Sequence, residues 1–371
     1  MNPTSSPRTR QPVFVNEFYS KPNIKFETIK KSAKIAEAIT ASPQLSQLLN
    51  LCDPAKRRNA VCDAIAEIER YVDPAYLAAI RTGVPAGLAS SNGLGWDPAL
   101  YDMVVHSTAG ILSALREVQS GQPVAASLSS GLHHASSGRG SGFCTVNSLA
   151  IAALVAACEG QRVVILDLDA HCGGGTDAYL RKYSEPARLI THIDVSLSSF
   201  DQYTQQGENS HLEIANEGNY LDAVERALTR LQATQPDVVF YNAGVDIWPQ
   251  VSPEIVRQRE QSVAAALRGL GTPCVIVMAG GYGQDEEIIP LHLGTLAAFV
   301  DIPSDSRDSF SRCTDCGSDM LPIVYGYPDS DTWRHYEHGE IALGGCVILT
   351  GQPTHKCSIC QTTSGRRPSL R

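Results

Sequence analysis

The sequence predicts an α/β protein: a parallel sheet covered by helices on both faces, followed by a small segment built around metal. Three observations lead there. From residue 100 onward, short apolar runs alternate with Ala/Leu-rich helical patterns. Near Val300 that alternation stops, glycine and aromatic residues rise, and helical periodicity fades. Two Cys-x-x-Cys pairs, Cys313/Cys316 and Cys357/Cys360, flank this last segment.

Composition bounds the function. The chain has 371 residues, 43% hydrophobic and 19% charged, which suits a globular protein with a substantial core. A formal net charge of −9 argues against a nucleic-acid surface, which needs clustered Lys and Arg. The N-terminal "MNPTSSPRTRQP" has basic residues but no apolar stretch of the kind a secretory signal carries. No apolar run reaches the roughly 18–20 residues a bilayer requires; "LAIAALVAAC" (Leu149–Cys158) reads as a buried helix. Eleven cysteines without an export signal read as thiols and metal ligands, so a cytoplasmic protein is expected.

The elements follow in order. Residues 1–12, rich in Ser, Pro and Arg, are expected to be disordered. "FETIKKSAKIAEAITASPQLSQLL" reads as helix with a break near Pro43. "PVAASL", "RVVILDLD", "ARLITHIDV", "DVVFYNAGVDI" and "PCVIVMAGGYG" read as strands. Helical stretches such as "NSLAIAALVAACEG", "YLDAVERALTRLQAT" and "EQSVAAALRGLG" separate them. Strands so connected form right-handed βαβ units. The main domain is placed at 13–302, a polar linker at 303–312, a cysteine-bound domain at 313–363 and a basic tail at 364–371.

In open parallel sheets, functional groups gather where strands end. Asp167, Asp169 and His171 end one such run at alternate positions, which share a face. Carboxylate plus imidazole suits Zn²⁺ or a similar divalent ion. Asp246 follows a second strand and Tyr282 follows two glycines after a third, while the tandem His133–His134 lies upstream. Taken singly, each has a plainer reading. Asp169 and Asp246 are good helix caps, His171 a core histidine, the His pair a polar loop and Tyr282 a turn residue. Their joint order carries the argument.

That order resembles the zinc-dependent histone deacetylases and the bacterial acetylpolyamine amidohydrolases. The matching pieces are "HHA…SGFC" (His133 to Cys144), "DLDAHCGGGT" (Asp167 to Thr176), "NAGVD" (Asn242 to Asp246) and "AGGY" (Ala279 to Tyr282), and the resemblance covers roughly residues 12–300. It implies the three-layer arginase/deacetylase sandwich and hydrolysis of an acylated amine, either a small molecule or an acetyl-lysine in a protein. Asp169, His171 and Asp246 would hold a catalytic zinc with one position open to water and substrate. His134 would be the principal general base and acid, with His133 its electrostatic partner. Asp167 would orient His133 and, with backbone carbonyls, hold K⁺. Tyr282 would donate to the amide carbonyl, and Gly142 and Phe143 would line a narrow acyl channel.

The departures are specific. Cys172 stands where the family has a second histidine; it reads as a small buried residue, with redox sensitivity as the sharper alternative. Gly174 replaces an Asp or Asn that buttresses the second histidine of the pair, so the orientation of His134 must come from elsewhere. "THIDVSLSSFDQYTQQG" lacks the family's aromatic-Pro-Gly stretch, leaving Tyr203 as a candidate second wall. Lys30 and Lys31 only approximate the family's N-terminal pattern.

Cys313, Cys316, Cys357 and Cys360 read as a structural Cys₄ zinc site in a ribbon-like segment too small to build a core unaided. Two other functional readings stand beside the hydrolase. One is a catalytically silent deacetylase fold that uses the ribbon as a contact surface. The other is a manganese ureohydrolase, which needs a richer carboxylate set.

Overall fold

The computed structural model describes residues 10–24, 26–129 and 132–300. Within the C-terminal unit it describes 313, 316, 318, 320–325, 330–337, 341–344, 352–353 and 355–364. The expected linker and basic tail lie outside the described residues, apart from Ser364. The chain divides into two compact units, Met1–Val300 and Asp301–Arg371.

The first unit is built on eight strands: β1 (Gln11–Phe14), β2 (Leu49–Cys52), β3 (Val124–Ser127), β4 (Val163–Asp167), β5 (Ile190–Ser196), β6 (Ser210–Ile214), β7 (Val238–Gly244) and β8 (Cys274–Ala279). Their order is β2-β1-β3-β8-β7-β4-β5-β6, and every pairing is parallel. β4, β5, β7 and β8 are buried at every residue, and β4, β7 and β8 read accordingly as largely apolar runs rather than alternating ones. Helix Ser148–Cys158 is buried along its first ten residues, in keeping with its all-round apolar sequence. Asn147 caps it, accepting from the Ala150 amide.

One expectation is corrected at the N-terminus. Gln11 and Pro12 are not disordered; they open β1, whose four residues are all buried. β1 is hydrogen-bonded between β2 and β3, and that pairing outweighs the local Pro-rich composition.

The sheet register sets the site. Asp167 on β4 pairs with Asn242 on β7, and Gly244 on β7 pairs with Ala279 on β8. The carboxyl ends of β4, β7 and β8 are therefore neighbours, and their following loops emerge side by side.

The second unit holds β9 (Met320–Val324), β10 (Ala342–Leu343), β11 (His355–Cys357) and β12 (Thr363–Ser364), in the order β10-β9-β11-β12. β9 and β12 flank β11 in antiparallel pairs, while β10 runs parallel to β9.

Candidate active site

Three strand ends converge as their sequence suggests. Ligand atoms of Asp169, His171 and Asp246 all lie within 4.8 Å of one another. His171 Nδ1 is 3.2 Å from Asp169 Oδ1 and 3.1 Å from Asp246 Oδ2. The approach of β4 to β7 depends on Gly244, where a β-carbon would stand 2.4 Å from the Asp169 Cα. Two buried carboxylates around one imidazole concentrate negative charge. Hydrogen bonding to Asp169 and then Asp246 pushes His171 up to about 10. Burial, then the charge of Asp169, raises Asp246 above the usual carboxylate range. Its Oδ2 is buried against the one His171 nitrogen that Asp169 also approaches. An O, N, O donor set short of a cation is what a divalent metal with an open position fits.

The histidine pair lies against this cluster, with His133, His134 and Asp169 also offering atoms within 4.8 Å of one another. His133 Nδ1 is 2.8 Å from Asp167 Oδ2, and Asp167 Oδ1 accepts from the Asn242 amide at 2.8 Å. The two rings are 4.0 Å apart. Their environments push them in opposite directions. Burial disfavours charge on His133, but Asp167 and Asp169 outweigh it and hold the group well above its ordinary value. Burial and then the charge of His133 draw His134 down, against the pull of Asp201. Such a split separates a charged partner from a neutral base.

Above the pair is a cavity of about 500 Å³ lined by Asn92, Gly93, Gly142, Phe143, Phe200 and Tyr282 among others. The Phe200 ring stands edge-on to His134 at 5.0 Å and to His171 at 5.8 Å. Phe143 and Tyr282 lie 6.4 Å apart, each tilted against Phe26. Tyr282 is 49% exposed, and the partial desolvation of its phenol, then the charges of Asp169 and Asp246, raises it above its ordinary value, so the hydroxyl keeps its proton and can donate.

Tyr203 is not the second wall. It stacks on His192 with ring centres 5.5 Å apart, and its hydroxyl is 3.2 Å from His192 Nδ1. Phe200 takes that place. Cys172 is fully buried; its Sγ lies 3.2 Å from Ser196 Oγ, and burial pushes the thiol up to about 11. Little thiolate exists at neutral pH, which leaves it a packing residue.

Several contributors escaped the sequence reading. Lys31, read from the sequence only as an approximation of the family's N-terminal pattern, is buried, and its ammonium donates to the Gly280 carbonyl in the turn before Tyr282. Arg259, on helix Pro253–Leu270, is 0% exposed and donates to the Leu168 carbonyl at 3.0 Å and the Gly244 carbonyl at 2.6 Å. It thus ties the loops that carry Asp169 and Asp246. Asp201 Oδ2 lies 2.9 Å from His134 Nδ1. Phe200 and Asp201 lie in the loop after the carboxyl end of β5, as the other site residues lie after β4, β7 and β8.

Residues 26–289 match the model of the histone deacetylase domain. The chain belongs to the histone deacetylase family. It is an enzyme of the deacetylase/amidohydrolase class, and that family is zinc-dependent. An uncharacterised protein of Picosynechococcus is 30% identical over 239 residues, 59% of this chain and 76% of its own length. The acetylpolyamine amidohydrolase of Burkholderia pseudomallei is 28% identical over 192 residues, and histone deacetylase 2 of Arabidopsis thaliana 29% over 171. These matches cover 47% and 43% of this chain, and 56% and 44% of those relatives, about half of each. A solved acetylpolyamine aminohydrolase from Burkholderia pseudomallei superposes with a TM-score of 0.61 at 21% identity, covering 78% of this chain and 98% of the other. At that identity the likeness is one of fold.

In the C-terminal unit of this deacetylase, the thiols of Cys313, Cys316, Cys357 and Cys360 lie within 4.8 Å of one another. Cys313 and Cys360 Sγ are 3.3 Å apart, and Cys316 is 3.5 Å from both Cys357 and Cys360. These spacings are far from the about 2.05 Å of a disulfide. They approach the about 3.8 Å between thiolates set tetrahedrally at about 2.3 Å from zinc. The backbone amides of Ile359 and Cys360 both donate to Cys357 Sγ at 3.4 Å. Among the described residues no helix is long and apolar enough to cross a membrane.

Proposed function

We propose that this chain hydrolyses an N-acyl amide, most simply an N-acetyl group, on an amine that reaches the site through the Phe143–Phe200 channel. One observation carries the reading. A cation-demanding Asp169/His171/Asp246 cluster, a histidine pair with divided protonation and a protonated tyrosine surround a single pocket. Asp169, His171 and Asp246 would hold zinc, which when bound polarises the acyl carbonyl and acidifies water. His134, neutral and facing the pocket, takes the proton of the attacking water. It later gives a proton to the departing amine, so the histidine ends as it began. His133, held by Asp167, supplies positive charge beside the developing negative centre. The Tyr282 hydroxyl donates to the carbonyl oxygen as charge gathers there. Asp167 is also the proposed K⁺ ligand, and Cys313, Cys316, Cys357 and Cys360 the proposed holders of a structural zinc.

The test pairs metal content per chain with turnover of N-acetyl amines, including acetylpolyamines and acetyl-lysine peptides. About two zincs are expected, one of them lost in Asp246→Ala together with turnover. One zinc that is kept in Asp246→Ala and lost on changing Cys313, with no turnover of any substrate, would overturn the catalytic reading in favour of a silent binding fold.

A further inference from the structure

We propose that the carboxylate that positions His134 has moved to Asp201, on a different strand's loop, and that residue 174 is glycine because Asp201 fills the space its side chain would need. The proposal rests on the role given to His134 above. Three observations support it.

The first is contact. Asp201 Oδ2 is 2.9 Å from His134 Nδ1 and also accepts from the Gly175 amide at 3.1 Å. With Nδ1–H donating to this oxygen, the Nε2 lone pair is left for a proton from water. The second is steric exclusion. A β-carbon on Gly174 would lie 2.4 Å from the Asp201 carbonyl oxygen and 2.5 Å from Oδ1, closer than real β-carbons come. A side chain at 174 and this placement of Asp201 cannot coexist. The third is backbone. Asp201 has φ +60, a left-handed conformation that Asp and Asn tolerate better than most residues. The loop holds it there through the Leu197 and Ser198 amides, both donating to the Ala170 carbonyl at 2.9 Å, and the Cys172 amide donating to the Phe200 carbonyl at 3.0 Å. Ala170 and Cys172 flank the ligand His171. The same short loop thus sets the channel wall with Phe200 and the base with Asp201.

Asp201 acts through His134 and is a positioning residue. Its test therefore reads the imidazole directly. In zinc-loaded full-length protein labelled with ¹⁵N-histidine, the His134 signals are assigned by their loss in His134→Gln. Wild type should show neutral His134 protonated at Nδ1. Asp201→Asn should keep that tautomer, because the Gly175 N–H selects the amide oxygen for the shared position, and Asn accepts the left-handed backbone. Its kcat should fall less than that of Asp201→Ala, since the productive tautomer survives and only the charge that supports the imidazolium is lost. Asp201→Ala should show mixed tautomers and a kcat at least roughly tenfold below that of Asp201→Asn, with KM and zinc content unchanged. Gly174→Ala, which leaves Asp201 in the sequence but displaces it, should reproduce the tautomer change. An unchanged His134 tautomer in Asp201→Ala overturns the proposal. This readout needs no substrate, so it stands apart from the turnover assay that decides the hydrolase reading.

Discussion

Replacing Arg259 by methionine should destabilise the first unit by about 3–5 kcal/mol, the cost of breaking a buried ion pair from one side. Methionine keeps most of the apolar stem and removes the charge. The Leu168 and Gly244 carbonyls each lose a donor, and a buried acceptor left unsatisfied costs about 1–3 kcal/mol. Glu260 loses its counter-charge but keeps hydrogen bonds from the Tyr241 hydroxyl at 2.8 Å and the Thr295 hydroxyl at 3.0 Å. Against these losses, a guanidinium no longer has to be stripped of water. Urea denaturation at fixed free zinc measures the balance. Adding Glu260→Gln to Arg259→Met removes the orphaned anion and should recover at least about 1 kcal/mol. Asp169 follows Leu168 directly and Asp246 lies two residues beyond Gly244. Zinc affinity should therefore fall by about 10–100-fold, the usual effect of losing a group that orients ligands. Stability within about 1 kcal/mol of wild type, together with unchanged zinc affinity, would show that the two loops hold their geometry without Arg259.

Three further outcomes are expected. Tyr282→Phe should lower kcat by about 10²–10³-fold while zinc content stays the same, since only the donor to the developing oxyanion is gone; steady-state kinetics with metal analysis checks it. Gly142→Ala places a methyl 2.5 Å from His134 Cδ2 and 3.0 Å from Phe200 Cε1, at φ +51, so kcat/KM should fall at least tenfold and stability by about 1 kcal/mol or more. Turnover and thermal melts report both. Cys360→Ser should release one zinc per chain and expose the C-terminal unit to proteolysis, with the catalytic metal retained; limited proteolysis with mass spectrometry separates the two effects.

Much of this architecture was legible from patterning. β4, β7 and β8 are buried throughout, so their residues had to be continuously apolar, and polar groups at their ends stood out against that background. The alternate spacing of Asp167, Asp169 and His171 places them on one side of an extended chain. What stayed hidden depended on long-range pairing. β1 is four residues long, and nothing local distinguishes it from the Ser/Pro/Arg-rich sequence before it; its place between β2 and β3 makes it a strand. β6, "SHLEI", is a partly exposed edge strand and reads as loop. Arg259 sits in a helix whose sequence looks like an ordinary solvated face, and its burial follows from carbonyls about 15 and 90 residues away in the chain. Gly174 marked a missing carboxylate but not its replacement, because periodicity within one strand says nothing of a loop from the next.

The exclusion between a side chain at 174 and the carboxylate at 201 also constrains substitution. An acid at 174 and Asp201 in its present position would compete for one space, so on the proposal above the two side chains should substitute for each other rather than add. The two positions therefore form an epistatic pair. Taken alone, Gly174 looks like a gap in the active site; taken with Asp201, on the proposal above, the same glycine is the space in which another loop's carboxylate does that work.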